Sequence, residues 1–463
     1  MLRSWQHTCI TKAMTKYRTN QRHFLVQATP GAGKTLMAAH LAKKLVDENM
    51  VDFIVCISPS KSVSASIQDT FSSMLSCPFN GKIGSRGFSI TYQSLRHLGD
   101  QFWSTLAKYR VLCVFDEIHH CAGDNEFNTN SWGHEILFRI ESASAYTLAL
   151  TGTPWRSDST PVALASYSDA EGKITCDYQY SLHEAVLDKV CRRPTITLID
   201  GQNLVLTKGN EPTQTFDSLS ALFTRGKIKY RNVLYHEIAL DNVLKLAVKK
   251  LASIRRHNPN AGGLIVAASV GHAKHIQELL VNSYRQTTVL VTYRHDNSQL
   301  LIDEFRTNDL EWIVSVGMVS EGTDIPRLQV CCHLSNVKTE LHFRQVLGRI
   351  LRTTSAPNQE AWLYTFAEPS LLEFSEEIER DIPESCFYVK FNHHTNDTIY
   401  GSSLKTAPLI SVTSADNVND PVNIDWNATP SVQKSKNSTN SVCIDIQLNQ
   451  FKERVIEAFR YVS

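Results

Sequence analysis

Near its start the chain reads Ala28-Thr-Pro-Gly-Ala-Gly-Lys34-Thr35. Two glycines flank a small residue, and a lysine and a hydroxyl follow at once. Residues 24–28 are apolar and read as a strand, while residues 35–48 carry helical periodicity. A glycine-rich turn between a strand and a helix is the setting in which backbone N–H groups and a helix N-terminus hold phosphate oxygens. Thr29, Gly31, Ala32 and Gly33 are the expected cradle. Lys34 adds a point charge beside the outer phosphates of a nucleotide, and Thr35 offers its hydroxyl to Mg²⁺. Ala28 stands where the stricter pattern has glycine.

A second run with chemical potential is Asp116-Glu117-Ile118-His119, directly after the apolar residues 111–115 and 82 positions beyond Lys34. A carboxylate at a strand end can hold Mg²⁺ through water, which is the role expected of Asp116. Glu117 can orient or deprotonate the attacking water. Together they divide the labour that phosphoryl transfer to water needs, so a nucleotide polyphosphate with Mg²⁺ is the expected ligand. His119, His120 and Cys121 form a metal-like cluster, but a relay of nucleotide state through His119 is preferred to zinc.

These residues need rigid elements to position them. Short apolar runs at 24–28, 53–58, 111–115 and 147–151 alternate with helical stretches. A second series follows at 264–268, 289–292, 312–316, 330–334 and 362–366. Near-continuous apolar strands alternating with helices predict parallel sheets covered on both faces, here an α/β chain of two tandem parallel-sheet domains. Ligands then bind beyond the carboxyl ends of the strands, where both runs lie. The predicted divisions are an ATP-binding lobe at 1–156, an inter-lobe insertion at 157–261 that ends in a helix at 241–256, a second lobe at 262–390, and a polar tail at 391–463. Leu448, Phe451, Val455 and Phe459 stand at helical spacing. They predict an amphipathic helix at the end of the tail, docked on the second lobe or in the groove of a protein partner.

A composition of 42% hydrophobic and 20% charged residues excludes wholesale disorder and a fibrous rod. The formal net charge is +1, so any hold on nucleic acid must come from a local surface. Residues 1–261 carry 30 basic and 22 acidic side chains, whereas residues 262–390 carry 11 and 17. The positive excess places a nucleic-acid surface in the first 261 residues. Cys191-Arg-Arg193 and Arg225-Gly-Lys-Ile-Lys-Tyr-Arg231 are its candidates, as basic residues that bind phosphates and a tyrosine that stacks on bases. A solvated linker is the alternative. The 11 cysteines are scattered and include no Cys-x-x-Cys pair, which predicts reduced thiols in a cytoplasmic protein. No apolar run approaches the roughly 20 residues that cross a bilayer, so no membrane partner is expected.

On these motifs the chain resembles the superfamily 2 helicases and translocases of DEAD/DEAH-like type. It is most similar to the branch holding type III restriction subunits, excision-repair helicases and phage recombination helicases. Arg3 and Gln6 resemble the upstream adenine-reading element, in which a glutamine amide pairs with the N6/N7 edge of adenine. Ile57-Ser-Pro-Ser60 and Ile90-Thr-Tyr-Gln-Ser94 resemble lobe-1 nucleic-acid motifs, and Leu150-Thr-Gly-Thr-Pro-Trp-Arg156 resembles the coupling motif. In the second lobe, residues 263–269 resemble the motif that touches the tracking strand. Glu321-Gly-Thr-Asp324-Ile-Pro resembles the motif shared by ATP and nucleic acid, which implies roles for Gly322 and Asp324. Gln345-Val-Leu-Gly-Arg349-Ile-Leu-Arg352 matches the arginine motif. Its spacing puts Gln345, Arg349 and Arg352 on one helical face, where guanidinium groups can fork onto phosphate oxygens.

The resemblance implies two RecA-like lobes that sandwich ATP·Mg²⁺, with nucleic acid crossing both lobes on another face. The implied activity is that of an ATP-dependent DNA helicase or translocase, DNA being favoured over RNA by the Thr-Gly-Thr-Pro form of the coupling motif. Two alternatives stay open, a non-unwinding ATPase switch in a defence or repair complex and an RNA helicase.

Overall fold

The computed structural model describes residues 2–118, 139–152, 166–167, 174–208, 212–293, 298–317, 325–380, 389–393, 444–447 and 450–457. Six parallel strands form the first sheet, in the order Gly87–Thr91, Phe53–Ser58, Val111–Phe115, Tyr146–Thr151, His23–Ala28 and Tyr178–Tyr180. Alternate residues feed two cores, as the period of two along a strand requires. Leu112, Val114, Leu148 and Leu150 pack with Trp5, Met14, Met37 and Leu41 of the helices Ser4–Arg18 and Lys34–Asp47. Val111, Cys113, Phe115 and Ala149 enter the core on the opposite face. Burial on both faces is why these strands read as unbroken apolar runs.

The second sheet orders its strands Thr288–Thr292, Trp312–Val316, Gly262–Ala267, Leu328–Leu334, Glu360–Phe366 and Arg193–Gln202, all parallel. Gln450–Glu457 and Val389–His393 then extend it antiparallel. The two sheets are those of tandem RecA-like lobes. The five strands expected in the second series are all present, each within two residues of its expected start. Arg193–Gln202 is an addition, since it falls within the stretch expected to be an insertion and serves instead as a strand of the second sheet.

One expectation is overturned. Residues 450–457 form a strand paired along eight residues with Gln202–Thr195, not an amphipathic helix. Positions 451 and 455 are four apart, and a spacing of four keeps residues on one face of a helix and of a strand alike. An available strand edge decided between them. Phe451 packs against the core, and Arg454 pairs with Glu376 at 3.0 Å on the helix Pro369–Arg380. Just before it, Ile444–Gln447 pairs with Leu204–Lys208, so the tail runs antiparallel to one long stretch of chain. Leu448 and Phe459 lie outside the described residues.

Candidate functional site

The phosphate loop leaves the strand His23–Ala28 and enters the helix Lys34–Asp47. Gly31 and Gly33 take φ values of +82° and +95°, a left-handed conformation that glycine adopts without steric cost. Gly33 is the N-cap and carries no side chain to accept from the first turn. The helices beginning at Asp100, Tyr230 and Glu237 likewise lack a side-chain cap, whereas five others have one. Hydroxyls of Ser60, Ser181, Ser218, Ser269 and Thr339 each accept a first-turn amide. The helix at Lys34 therefore keeps its N-terminal donors directed at an anion.

Within the loop, the Thr29 amide donates to Tyr180 O at 3.0 Å and the Ala32 amide to Thr29 O at 3.2 Å. These two amides shape the cradle. Those of Gly31, Gly33, Lys34 and Thr35 make no hydrogen bond to the described residues. The residues present thus fit a polyphosphate.

Arg3 and Gln6 brace the loop from the first helix. Arg3 Nη1 donates to Ala32 O at 2.7 Å, and Gln6 Nε2 donates to Gly33 O at 3.0 Å. Gln6 Oε1 accepts from the Arg3 amide at 2.9 Å, so both ends of the Gln6 amide are engaged. In this state Gln6 ties the first helix to the phosphate loop.

Asp116 and Glu117 follow the strand Val111–Phe115. Glu117 has φ +49°, which for a non-glycine residue costs on the order of 1–2 kcal/mol. The turn carries its carboxylate to two donors, the Lys34 ammonium at 2.9 Å and the Gly152 amide at 2.9 Å. Gly152 directly follows the strand Tyr146–Thr151, so three strand ends converge on one point. Burial, then the charge of Glu117, push the Asp116 carboxyl above the usual range, and Lys34 pulls the other way. A divalent cation between Asp116 and Thr35 would relieve that repulsion.

The second lobe reaches the same loop. A Cβ built on Gly348 would lie 2.5 Å from Pro30 Cβ, so glycine alone permits the approach seen. A Cβ on Gly31 would lie 3.4 Å from Arg352 Cγ. The expected helical face is corrected here. The helix Glu340–Gly348 carries Gln345 but ends before Arg349, its C-cap, and Arg352 lies in an antiparallel bridge with Cys191. Bonds of the i→i−3 type, from Arg349 N to Val346 O and from Ile350 N to Leu347 O, tighten the last turn and release the chain. Arg352 meets the phosphate loop from extended backbone.

Residues 1–156 match the family described as Type III restriction enzyme, res subunit. An uncharacterised protein of Mycobacterium leprae (strain TN) is 31% identical over 393 residues, 82% of this chain and 64% of that protein. The chain thus spans less than two thirds of that relative's length. The DNA 3'-5' translocase XPB2 of Sulfurisphaera tokodaii is 24% identical over 284 residues, 57% of this chain and 59% of its own. In fold, the chain is similar to a fragment of an HsdR subunit of a type I restriction enzyme from Vibrio vulnificus YJ016. That match has a TM-score of 0.55 at 17% identity and covers 80% of this chain and 65% of that one. Over residues 1–156 in sequence, and across both lobes in fold, the chain is similar to the helicases of superfamily 2.

The two segments that resemble lobe-1 nucleic-acid motifs lie side by side, because Phe53–Ser58 and Gly87–Thr91 pair with Ser58 opposite Thr91. Their hydroxyls cluster. Ser60 Oγ is 3.0 Å from Ser62 Oγ, Ser64 Oγ is 2.9 Å from Ser89 Oγ, and Thr91 Oγ1 is 2.9 Å from Ser94 Oγ. Hydroxyls at the start of the helix Lys61–Leu75 suit a phosphate backbone. The Tyr92 hydroxyl donates to the Asp116 carbonyl at 2.9 Å, joining this face to the carboxylates. In the second lobe, Tyr235 bonds Ser269 Oγ at 2.6 Å, and Arg231 lies 5.1 Å from the Tyr235 ring.

Two further expectations are corrected. Arg225, Lys227, Lys229 and Arg231 are exposed, but Tyr230 is buried and packs edge-on to Phe223 at 5.9 Å. Tyr230 anchors the stretch and cannot stack on a base. Arg192, read as a phosphate-binding candidate, is only 1% exposed. Trp312 belongs to the core, as expected. His119, Trp155, Gly322 and Asp324 lie outside the described residues. Among the described residues, no helix is long and apolar enough to cross a membrane, and no group of three or more side chains could hold a metal in a His/Cys/Asp/Glu cluster.

Proposed function

We propose that the chain is an ATP-dependent DNA translocase or helicase whose two lobes hydrolyse ATP at their shared boundary. The observation that carries this reading is the approach of Gly348 and Arg352 to Pro30 and Gly31, which brings an arginine of one lobe to the phosphate loop of the other. Thr35 and Asp116 would hold Mg²⁺, which supplies charge neutralisation on the outer phosphates. The amides of Gly31, Gly33, Lys34 and Thr35 grip the polyphosphate. Glu117, held by the Gly152 amide, accepts the proton of the attacking water. Arg352, with Arg349 beside it, meets the charge that develops on the transferring phosphoryl group. Gln345 stands one turn earlier on the helix and would position that water or the arginine pair.

Closing the lobes assembles this set, and opening after hydrolysis would move them along a strand. DNA is the favoured track, supported by the Thr-Gly-Thr-Pro coupling motif and by the relative named as a DNA 3'-5' translocase. The deciding experiment measures ATP turnover by the purified chain against single-stranded DNA, duplex DNA, forked DNA and RNA, with Lys34→Ala as control. Lys34-dependent turnover stimulated by DNA supports the reading. Stimulation by RNA alone overturns the choice of DNA, and no Lys34-dependent turnover overturns the ATPase.

A further inference from the structure

Arg192 is a full cationic side chain that is buried and, among the described residues, bonds no carboxylate. Its guanidinium has five N–H donors, and the structure gives it five neutral acceptors. Nε donates to Gln359 Oε1 at 3.2 Å. Nη1 donates to the carbonyls of Leu328 and, at 3.3 Å, Ile350. Nη2 donates to Pro326 O at 3.0 Å and to Thr354 Oγ1 at 3.4 Å. Burial lowers its pKa to about 10, still far above neutrality, so the group stays charged. A buried charge met only by dipoles is a costly way to stabilise a fold.

The acceptors show what the charge holds together. Pro326 lies two residues before the strand Leu328–Leu334, and Leu328 begins it. Ile350 and Thr354 bracket Arg352. The backbone adds to the grip, since Arg192 N donates to Leu351 O at 2.6 Å and Thr353 Oγ1 to Val190 O at 3.3 Å. One residue earlier, Cys191 Sγ lies 3.8 Å from Pro30 O of the phosphate loop. Residues 190–192 are thus wedged between the phosphate loop and the arginine segment.

We propose that Arg192 is a positioning residue for ATP hydrolysis. It locks the loop at 326 and the segment 350–354 into one rigid unit, and so sets Arg352 at the phosphate loop. This rests on the reading of Arg352 as the arginine that meets the phosphoryl group. A lysine at 192 would keep the charge but lose the planar fork that spans five acceptors.

Arg327 supplies the control. It is also buried, with its guanidinium donating to the carbonyls of Asn260, Phe305 and Leu310 at 2.6–2.9 Å. None of those acceptors belongs to the segment 350–354.

The test uses the full chain with Arg192→Lys, Arg327→Lys, Arg352→Ala and the Arg192→Lys/Arg352→Ala pair. Thermal midpoint, ADP affinity, affinity for ADP with aluminium fluoride as a mimic of the transferring phosphoryl group, and single-turnover hydrolysis are measured for each. Arg192→Lys should keep ADP affinity within about threefold but lose about 10²-fold in turnover, the scale of a misplacement near 1 Å. It should lose affinity for the fluoride complex alongside. Arg327→Lys should lower the thermal midpoint at least as much and keep turnover within about twofold. In the Arg352→Ala background, Arg192→Lys should add almost nothing, because the two act as a unit.

Should Arg192→Lys not yield folded protein, Thr354→Val, which deletes one acceptor, is judged by the same criteria with a loss nearer tenfold. Wild-type turnover in the Arg192 variant, or additive losses in the pair, overturns the proposal while leaving the ATPase reading intact. A wild-type chain without Lys34-dependent hydrolysis overturns both.

Discussion

The two lobes hold their halves of the proposed nucleotide site by different means. In the first, the phosphate loop, Glu117 and Gly152 each follow a strand of one sheet, and the contacts that join Lys34, Glu117 and Gly152 are made inside that lobe. In the second, the arginine segment leaves its helix early and is bridged to Cys191 and held by Arg192, from a stretch that precedes the lobe's first expected strand. The strand that follows, Arg193–Gln202, is itself backed by Gln450–Glu457. One half of the site is built from consecutive motifs, and the other depends on chain borrowed from both sides. The first should therefore bind nucleotide on its own terms, while the second should govern turnover.

The sharpest way to break this contrast is Arg352→Ala. Arginine fingers contribute about 10³–10⁵-fold in related phosphoryl transfers. Turnover should fall on that scale while nucleotide binding to the first lobe stays within roughly tenfold, as read by single-turnover hydrolysis and equilibrium binding. Arg352→Lys should not rescue it. If Arg349→Ala loses the chemical step and Arg352→Ala keeps it, the two arginines exchange roles.

Glu117→Gln comes next, with an expected loss of about 10²–10⁴-fold, the usual contribution of a general base. Its amide oxygen can still accept from Gly152, so ATP should bind and remain unhydrolysed. Near wild-type hydrolysis would remove Glu117 from its role. Gly348→Ala tests the approach of the lobes directly. The added methyl meets Pro30 Cβ at 2.5 Å, so the lobes must part or strain, at about 1–3 kcal/mol. Turnover should drop about tenfold with little change in the binding of ADP.

Replacing Arg225, Lys227, Lys229 and Arg231 together by alanine should reduce the salt slope of single-stranded DNA binding by up to about 3, at roughly 0.7 per phosphate contact. An unchanged slope assigns those exposed cations to solvent. The smallest effect on activity is expected of Phe451→Ala, which trims a half-buried ring on the added strand. It should cost about 1–2 kcal/mol of stability by thermal melting and leave turnover of the folded protein unaltered.

What was legible in the sequence follows the same division. The phosphate loop and the carboxylate pair are written in short runs beside apolar strands, so pattern and spacing locate them. Arg192 could not be found that way. Its acceptors stand at 326, 328, 350, 354 and 359, more than 130 positions away, and a basic dipeptide reads as surface until its partners are known. The end of the helix at Gly348 was hidden because the arginine pattern also fits a continued helix. The tail strand was hidden because a four-residue spacing does not separate the two periodicities, and only the open edge of Arg193–Gln202 chose between them.

The ion pair between Lys34 and Glu117 has a consequence for timing. While the two are bonded, the ammonium is neutralised and the carboxylate is held by a cation, so neither end acts on phosphate or water. A polyphosphate that enters the loop competes for the same ammonium, and its success releases Glu117. On the proposed reading, activation of the base would be conditional on occupancy of the loop by a ligand with enough negative charge to win the exchange. A ligand too weakly charged to displace Glu117 would leave the proposed site inert, a guard against idle hydrolysis that needs no moving lid.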